Sequence, residues 1–169
     1  MQNVEFKAEL KDLDLARSIC LALGAQLAGI LDQTDTYYVV KQGRLKKRET
    51  VGEETEWILY ERPDAAGNKL SRFKIYTEDE AAQRFGIATL AMRVVVKKVR
   101  ELYMLGNVRI HLDTVEELGR FIEFEAMVSP RQNEAECQQQ VTRLRQELSP
   151  ALGEAIAVGY ADMLETGEG

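Results

Sequence analysis

Residues 93–128 read RVVVKKVRELYMLGNVRIHLDTVEELGRFIEFEAMV, and the alternation within them decides the fold. Apolar and β-branched residues occupy every second position, as in strands with two unlike faces. Val94, Val96, Lys98 and Arg100 share one parity; Val95, Lys97 and Val99 share the other. After a turn at Gly106-Asn107, Arg109, His111 and Asp113 point one way, and Val108, Ile110 and Leu112 the other. A second turn around Glu117-Leu118-Gly119 leads to Glu123 and Glu125, opposed to Ile122, Phe124 and Ala126. A period of two therefore gathers Lys98, Arg100, Arg109, Asp113, Glu123 and Glu125 as candidates for one face. Both signs of charge on a single face suit a metal held beside a polyanion.

Working outward, the same inverted pattern recurs. Asn3-Val4-Glu5-Phe6-Lys7 alternates as a short strand, and Asp12 caps a helix that Gly24 ends. A strand region spans 27–40, and the next, 43–49, sets Arg44, Lys46 and Arg48 on one face. Residues 53–62 form a fourth strand, and 69–76 a fifth that groups Arg72 with Lys74 against Phe73 and Ile75. Thr77 and Glu80 read as a capping box for a short helix ending near Gly86. Asn133 caps a helix to about Leu148, and Ser149-Pro150 is expected to start a final helix, so that helices fill 133–165. Residues 166–169 are expected to fray. About eight antiparallel strands carry charge opposite apolar residues. An ordinary barrel buries hydrophobics inside. The inversion predicts an α+β fold: a closed eight-stranded antiparallel β-barrel with a polar, ligand-filled lumen and helices packed outside.

The chain has 169 residues, 45% hydrophobic and 30% charged, which predicts one soluble domain over 1–169. Its net charge of −6 argues against bulk attraction to nucleic acid or membrane, so basic clusters inside it are informative. No run approaches the roughly 20 apolar residues of a membrane helix, and no secretory h-region is visible at the N-terminus. Cys20 and Cys137 share no metal-ligand spacing and are expected to be reduced thiols of a cytoplasmic protein.

These motifs, taken in order, resemble the CYTH superfamily, also called triphosphate tunnel metalloenzymes. Asn3-Val4-Glu5-Phe6-Lys7 is similar to its ExExK signature, with Asn3 in place of the first Glu. The likeness continues through Gln33-Thr34-Asp35-Thr36-Tyr37-Tyr38, Gly43-Arg44-Leu45-Lys46-Lys47-Arg48, Tyr60-Glu61-Arg62-Pro63 and Val96-Lys97-Lys98-Val99-Arg100. It ends with Val108-Arg109-Ile110-His111-Leu112-Asp113, Leu118-Gly119-Arg120-Phe121-Ile122-Glu123-Phe124-Glu125 and, similar to the class IV adenylyl cyclase branch, Gly159-Tyr160-Ala161-Asp162-Met163-Leu164.

The resemblance implies an eight-stranded tunnel that binds a triphosphate with Mg2+ or Mn2+. It implies Glu5, Glu123, Glu125 and Asp113 on the metal side, and Lys7, Arg44, Lys46, Arg48, Arg72, Lys98, Arg100 and Arg109 on the phosphate side. Arg100, Glu5 and Asp113 are the candidate catalytic residues, the two carboxylates as proton acceptors. Arginine offers planar bidentate donors to phosphate and lysine a compact charge. Hard divalent ions prefer oxygen ligands. The leading reading is a class IV adenylyl cyclase-like enzyme converting ATP to cyclic AMP and pyrophosphate. Its rivals are a triphosphatase acting on tripolyphosphate, thiamine triphosphate or a nucleotide, and a non-catalytic sensor favoured by Asn3. No nucleic-acid or membrane partner is expected; a homodimer is common in the branch resembled. His111 lies on the Arg109 and Asp113 parity, where a hydrogen-bonded structural histidine competes evenly with a general acid, so no catalytic role is assigned to it. Trp57 is expected in the core.

Overall fold

The computed structural model describes residues 1–167. The expectation of fraying at Glu168 and Gly169 lies outside the described residues, while Thr166 and Gly167 complete the last helix and its cap. The elements run β1 (Gln2–Leu10), α1 (Leu13–Ala22), β2 (Gln26–Tyr38), β3 (Arg44–Thr50), β4 (Glu56–Glu61), β5 (Lys69–Tyr76) and α2 (Glu78–Phe85). They continue β6 (Met92–Leu105), β7 (Val108–Val115), β8 (Gly119–Met127), α3 (Glu134–Glu147), β9 (Leu152–Ala155) and α4 (Tyr160–Thr166).

Eight strands close into a ring in the order β5-β4-β3-β2-β6-β7-β8-β1, with β1 pairing β5 to complete it. Every pairing is antiparallel. β5 follows β1 only from Gln2 to Glu5; β9 then takes over, opposite Ala8 and Leu10. The predicted closed barrel is therefore the observed fold, with one strand added. That ninth strand corrects the expected helix after Ser149-Pro150. Residues Ser149–Ala151 make a single 3-10 turn, and the chain then extends because the edge of β1 left free by β5 offers it a hydrogen-bonded place.

Outward-facing residues of β1, β7 and β8, among them Val4, Phe6, Ile110, Ile122 and Phe124, are buried against α1 and α3. Those helices answer with Ala16, Cys20, Cys137, Val141 and Leu144; both cysteines are free and buried. Each such apolar side chain contributes about 1.5–3 kcal/mol when buried. The main core thus lies outside the ring, which frees the inside for charge. Trp57 belongs to another outer cluster, under Ala81 of α2, with Leu45 and Tyr76. Sharp local signals hold the helices: Asp12 accepts from the Leu15 amide, and Thr77–Glu80 and Asn133–Glu136 form reciprocal capping boxes. The two-residue turn between β6 and β7 requires Gly106 at φ 57°, where a side chain is disfavoured. No described helix is long and apolar enough to cross a membrane.

Candidate active site in the tunnel

Register turns the alternation into a charged lumen. Arg100 lies opposite Asp113, His111 opposite Glu123, Arg109 opposite Glu125, and across β1 Lys7 meets Glu123 and Glu5 meets Glu125. On the far wall Asp35 faces Arg48, and Tyr37 faces Lys46. These rows border a cavity of about 320 Å³ lined by Glu5, Lys7, Lys46, Arg48, Lys98, Arg100, Arg109, Glu123 and Glu125.

One wall collects cations on a single anion. Asp35, fully buried, accepts from Arg48 Nε and Nη2 at 2.8 and 2.7 Å and from Lys98 Nζ at 2.7 Å. Lys46 Nζ lies 3.3 Å away. Burial alone would raise the Asp35 carboxyl, but Arg48, Lys46 and Lys98 hold it well below the usual carboxylate range. With all three protonated, three cations against one carboxylate would leave an excess of two positive charges, although burial lowers the Lys98 ammonium well below its ordinary 10.5. Burial, reinforced by Arg48, lowers the Lys46 ammonium to about 8.

The opposite wall is acidic. Lys7 Nζ stands 3.3 Å from Glu123, and Arg62 pairs with Glu5. Among the described residues Glu125 has no lysine or arginine partner; burial and the neighbouring Glu123 and Glu5 push its carboxyl up to about 8. His111 Nδ1 is 3.6 Å from Glu123 and Nε2 is 3.9 Å from Glu125, and neither nitrogen has a hydrogen-bond partner. The expected structural hydrogen bond of this histidine is thus not made. Burial, with Arg100 nearby, lowers its imidazole to about 4, so it is neutral. Donor atoms of His111, Glu123 and Glu125 lie within 4.8 Å of one another, the spacing of ligands around one cation.

Asp113 sits apart from that group. Arg100 grips both its oxygens at 2.8 Å, and the Tyr160 hydroxyl donates to one of them at 2.8 Å. Although burial opposes it, the Arg100 guanidinium brings the Asp113 carboxyl down to about 2. The expectation of Asp113 beside the metal carboxylates is therefore corrected: it faces Arg100 across β6 and β7, and its acceptors are already filled. Tyr160 opens α4 and also lies under Lys7, whose Nζ is 3.8 Å from the ring centre. Asp162, two residues on, bridges toward Arg93 at 3.3 Å and Arg44 at 4.0 Å, so α4 lies across one rim. Arg44 is consequently held at that rim, with Asp64 at 2.7 Å, and does not line the cavity. The other part of the lining is apolar: Ala28, Leu31, Ile58, Phe73, Leu102 and the partly exposed Ile75.

Arg72 is the second correction. It is exposed on the outer face of β5, while Ser71, Phe73 and Ile75 line the cavity. Charge was the guide to the inner face on this strand, and here the charged parity is the outer one. Lys69, two residues before Ser71, shares the inner parity but does not line the cavity: it is buried, donates to the Ala65 and Ala157 carbonyls at 3.0 and 3.1 Å, and burial lowers it to about 8. Sequence reasoning also passed over Asp35 and Tyr160. Asp35 had a signal, the parity it shares with Gln33 and Tyr37; Tyr160, on a helix, had none beyond its motif.

The CYTH domain family matches residues 1–160. No curated protein matches the chain closely enough to count as a relative. Among solved structures, the PH1012 protein from Pyrococcus horikoshii is similar at 22% identity and TM-score 0.74, over 95% of this chain and 98% of that one. An adenylate cyclase candidate from Vibrio parahaemolyticus shares 18% identity at TM-score 0.71, over 96% and 97%. An adenylyl cyclase candidate from Hippeastrum, described with a dominant triphosphatase activity, shares 12% at TM-score 0.68, over 98% and 96%. At such identities these likenesses carry the fold alone. The family match extends over the whole barrel and ends at the first residue of α4, and the chain belongs to the CYTH domain family.

Proposed function

We propose that this protein is a divalent-metal-dependent enzyme that takes a triphosphate into the tunnel and converts ATP to cyclic AMP and pyrophosphate. Family membership supports, at the coarser level, an enzyme acting on triphosphates. The observation that carries the proposal is the opposition of two incomplete walls in one cavity: surplus cations around Asp35, and carboxylates with an unpartnered imidazole around Glu125. A triphosphate completes the first, and a cation completes the second.

Glu5, Glu123 and Glu125 are hard oxygen donors on adjoining strands, and they fit Mg2+ or Mn2+. Such an ion supplies Lewis-acid polarisation of phosphoryl oxygens. The chain's own residues do the rest. Lys46, Arg48 and Lys98 spread positive charge along the phosphates, and Lys7 and Arg100 join them from the other wall. Arg100 is fixed for this by Asp113, which Tyr160 fixes in turn. Asp113, held so acidic, is a poor base; Glu5 is the carboxylate proposed to receive the proton of the attacking ribose hydroxyl. Catalysis then comes from positioning and charge stabilisation in line with the leaving pyrophosphate. The apolar lining from Leu31, Ile58, Phe73 and Leu102 offers a dry seat for an organic group on the triphosphate, which supports attack by the substrate's own hydroxyl over attack by water.

A triphosphatase is the second reading, supported by the activity described for the Hippeastrum protein of the same fold. Incubating pure protein with ATP, and separately with tripolyphosphate, in Mg2+ or Mn2+ separates the two by chromatography of products. Cyclic AMP with pyrophosphate is the expected result. ADP with phosphate, or cleavage of tripolyphosphate alone, replaces the cyclase with the hydrolase. Binding without turnover on either leaves a sensor, and directs attention to Asn3, whose buried side-chain oxygen has no partner.

A further inference from the structure

His111 is the only histidine in the chain, and it is placed where a nitrogen has few uses. It is 1% exposed, on a strand whose neighbours across the register are Glu123 and Leu102. Buried polar atoms are almost always hydrogen-bonded, and a buried donor left alone is costly. Yet both ring nitrogens lack a partner. The ring stands between two carboxylates, 3.6 Å from Glu123 and 3.9 Å from Glu125, too far for a hydrogen bond to either.

The two separations start from different ring nitrogens, and one ion can use only one of them. Donors bound to one six-coordinate ion at roughly 2.1–2.2 Å lie about 3 Å apart when adjacent and about 4.3 Å apart when opposite. Here an imidazole nitrogen and the two carboxylates fall within 4.8 Å of one another. We propose that His111 is a nitrogen ligand of the divalent ion in this tunnel, and that it biases the site toward Mn2+ or Co2+ and away from Mg2+. The inference rests on the metal reading above, and deepens it by changing the donor set from all-oxygen to mixed. Mg2+ is a hard ion that keeps oxygen ligands and waters, whereas an imidazole nitrogen favours the first-row transition ions in the order of their affinities, with Mn2+ the hardest of that row. The neutral amide of Asn3, where the family signature has a carboxylate, works in the same direction by lowering the anionic charge available to a hard ion.

Mn2+ electron spin-echo spectroscopy on tag-free protein tests this, with and without added pyrophosphate. With one histidine present, an imidazole 14N modulation has a single possible source. The expected result is 14N coupling that becomes a 15N pattern when the protein is grown on 15N-histidine, a readout needing no variant. In His111→Gln the coupling disappears, and the Mn2+-over-Mg2+ preference in competition binding falls by about tenfold or more. Stoichiometric Mn2+ binding without nitrogen coupling overturns the ligand assignment and leaves the carboxylate site standing. Absence of Mn2+ binding removes both this inference and the metal-dependent function beneath it. Coupling that survives in His111→Gln also overturns it.

Discussion

The two walls of the tunnel contrast in what they lack. Around Asp35 every anionic oxygen is satisfied and the cations are in excess. Around Glu125 the reverse holds: Glu123 has Lys7 and Glu5 has Arg62, but Glu125 and His111 are left without close partners. A folded protein that leaves opposite deficits facing each other stores a binding preference, because one metal–polyanion complex relieves both. The Asp35 wall governs affinity for the polyanion, and the Glu125 wall governs metal dependence.

The contrast breaks most visibly at Glu125. Glu125→Gln keeps the shape and removes the charge that this carboxyl would carry with a metal bound, so metal-dependent turnover should fall at least about a hundredfold with saturating Mn2+. Circular dichroism should show an unchanged fold. Full activity in this variant would end the assignment of the acidic wall to metal. The Asp35 wall should fail differently. Asp35→Asn leaves Arg48, Lys46 and Lys98 crowded without their anion, and loss of one partner in a buried ion cluster costs about 3–5 kcal/mol. Thermal unfolding should show that loss, and added tripolyphosphate should restore more stability to the variant than it adds to the native protein. Equal shifts in both would mean that the polyanion does not reach these cations.

A smaller effect comes from pH. Lys46 and Lys69 are both lowered by burial to about 8 from an ordinary 10.5, so the folded chain releases their protons first. Between those values the unfolded chain binds more protons, and the ligand-free protein should gain stability as pH rises through the window. Triphosphate binding runs the other way, since it favours the charged lysines. Affinity should weaken above about pH 8, with protons taken up on binding, as calorimetry in buffers of different ionisation heat will show. A flat affinity from pH 7 to 10 would place both lysines outside the polyanion's reach.

Much of this was readable before any coordinates. Residues 93–128 carry strict alternation, and the inner set they define, Lys98, Arg100, Arg109, Glu123 and Glu125, lines the cavity. Asp113 has the inner parity too, but parity does not tell which inner side chains neutralise one another; that depends on which strands adjoin. Asp35 shows the same limit from the other side. Its importance comes from Lys98, 63 residues away, a proximity created by the pairing of β2 with β6. Tyr160 enters the lumen from a helix, where a period of two says nothing. β9 was missed because Pro150 permits either a helix start or a turn, and the choice was made by the vacant edge of β1.

β5 is where inner and outer faces were exchanged, and it yields the finest test. Its charged parity, Arg72 and Lys74, looks outward, and Lys69 is the buried cation on the other parity. Arg72→Ala removes an exposed charge that touches the outer groove near Leu59 and Lys74. Stability should change by no more than about 0.5 kcal/mol, as for other surface substitutions. Affinity for a triphosphate should stay within about twofold, because exposed charge outside the ring is screened over roughly 8–10 Å of salt solution. The matched variant Lys69→Met should weaken binding clearly more, since that ammonium is buried beside Glu5 and Arg62. If Arg72→Ala proves the more damaging of the pair, β5 is turned the other way, and the inner wall has to be redrawn from that strand.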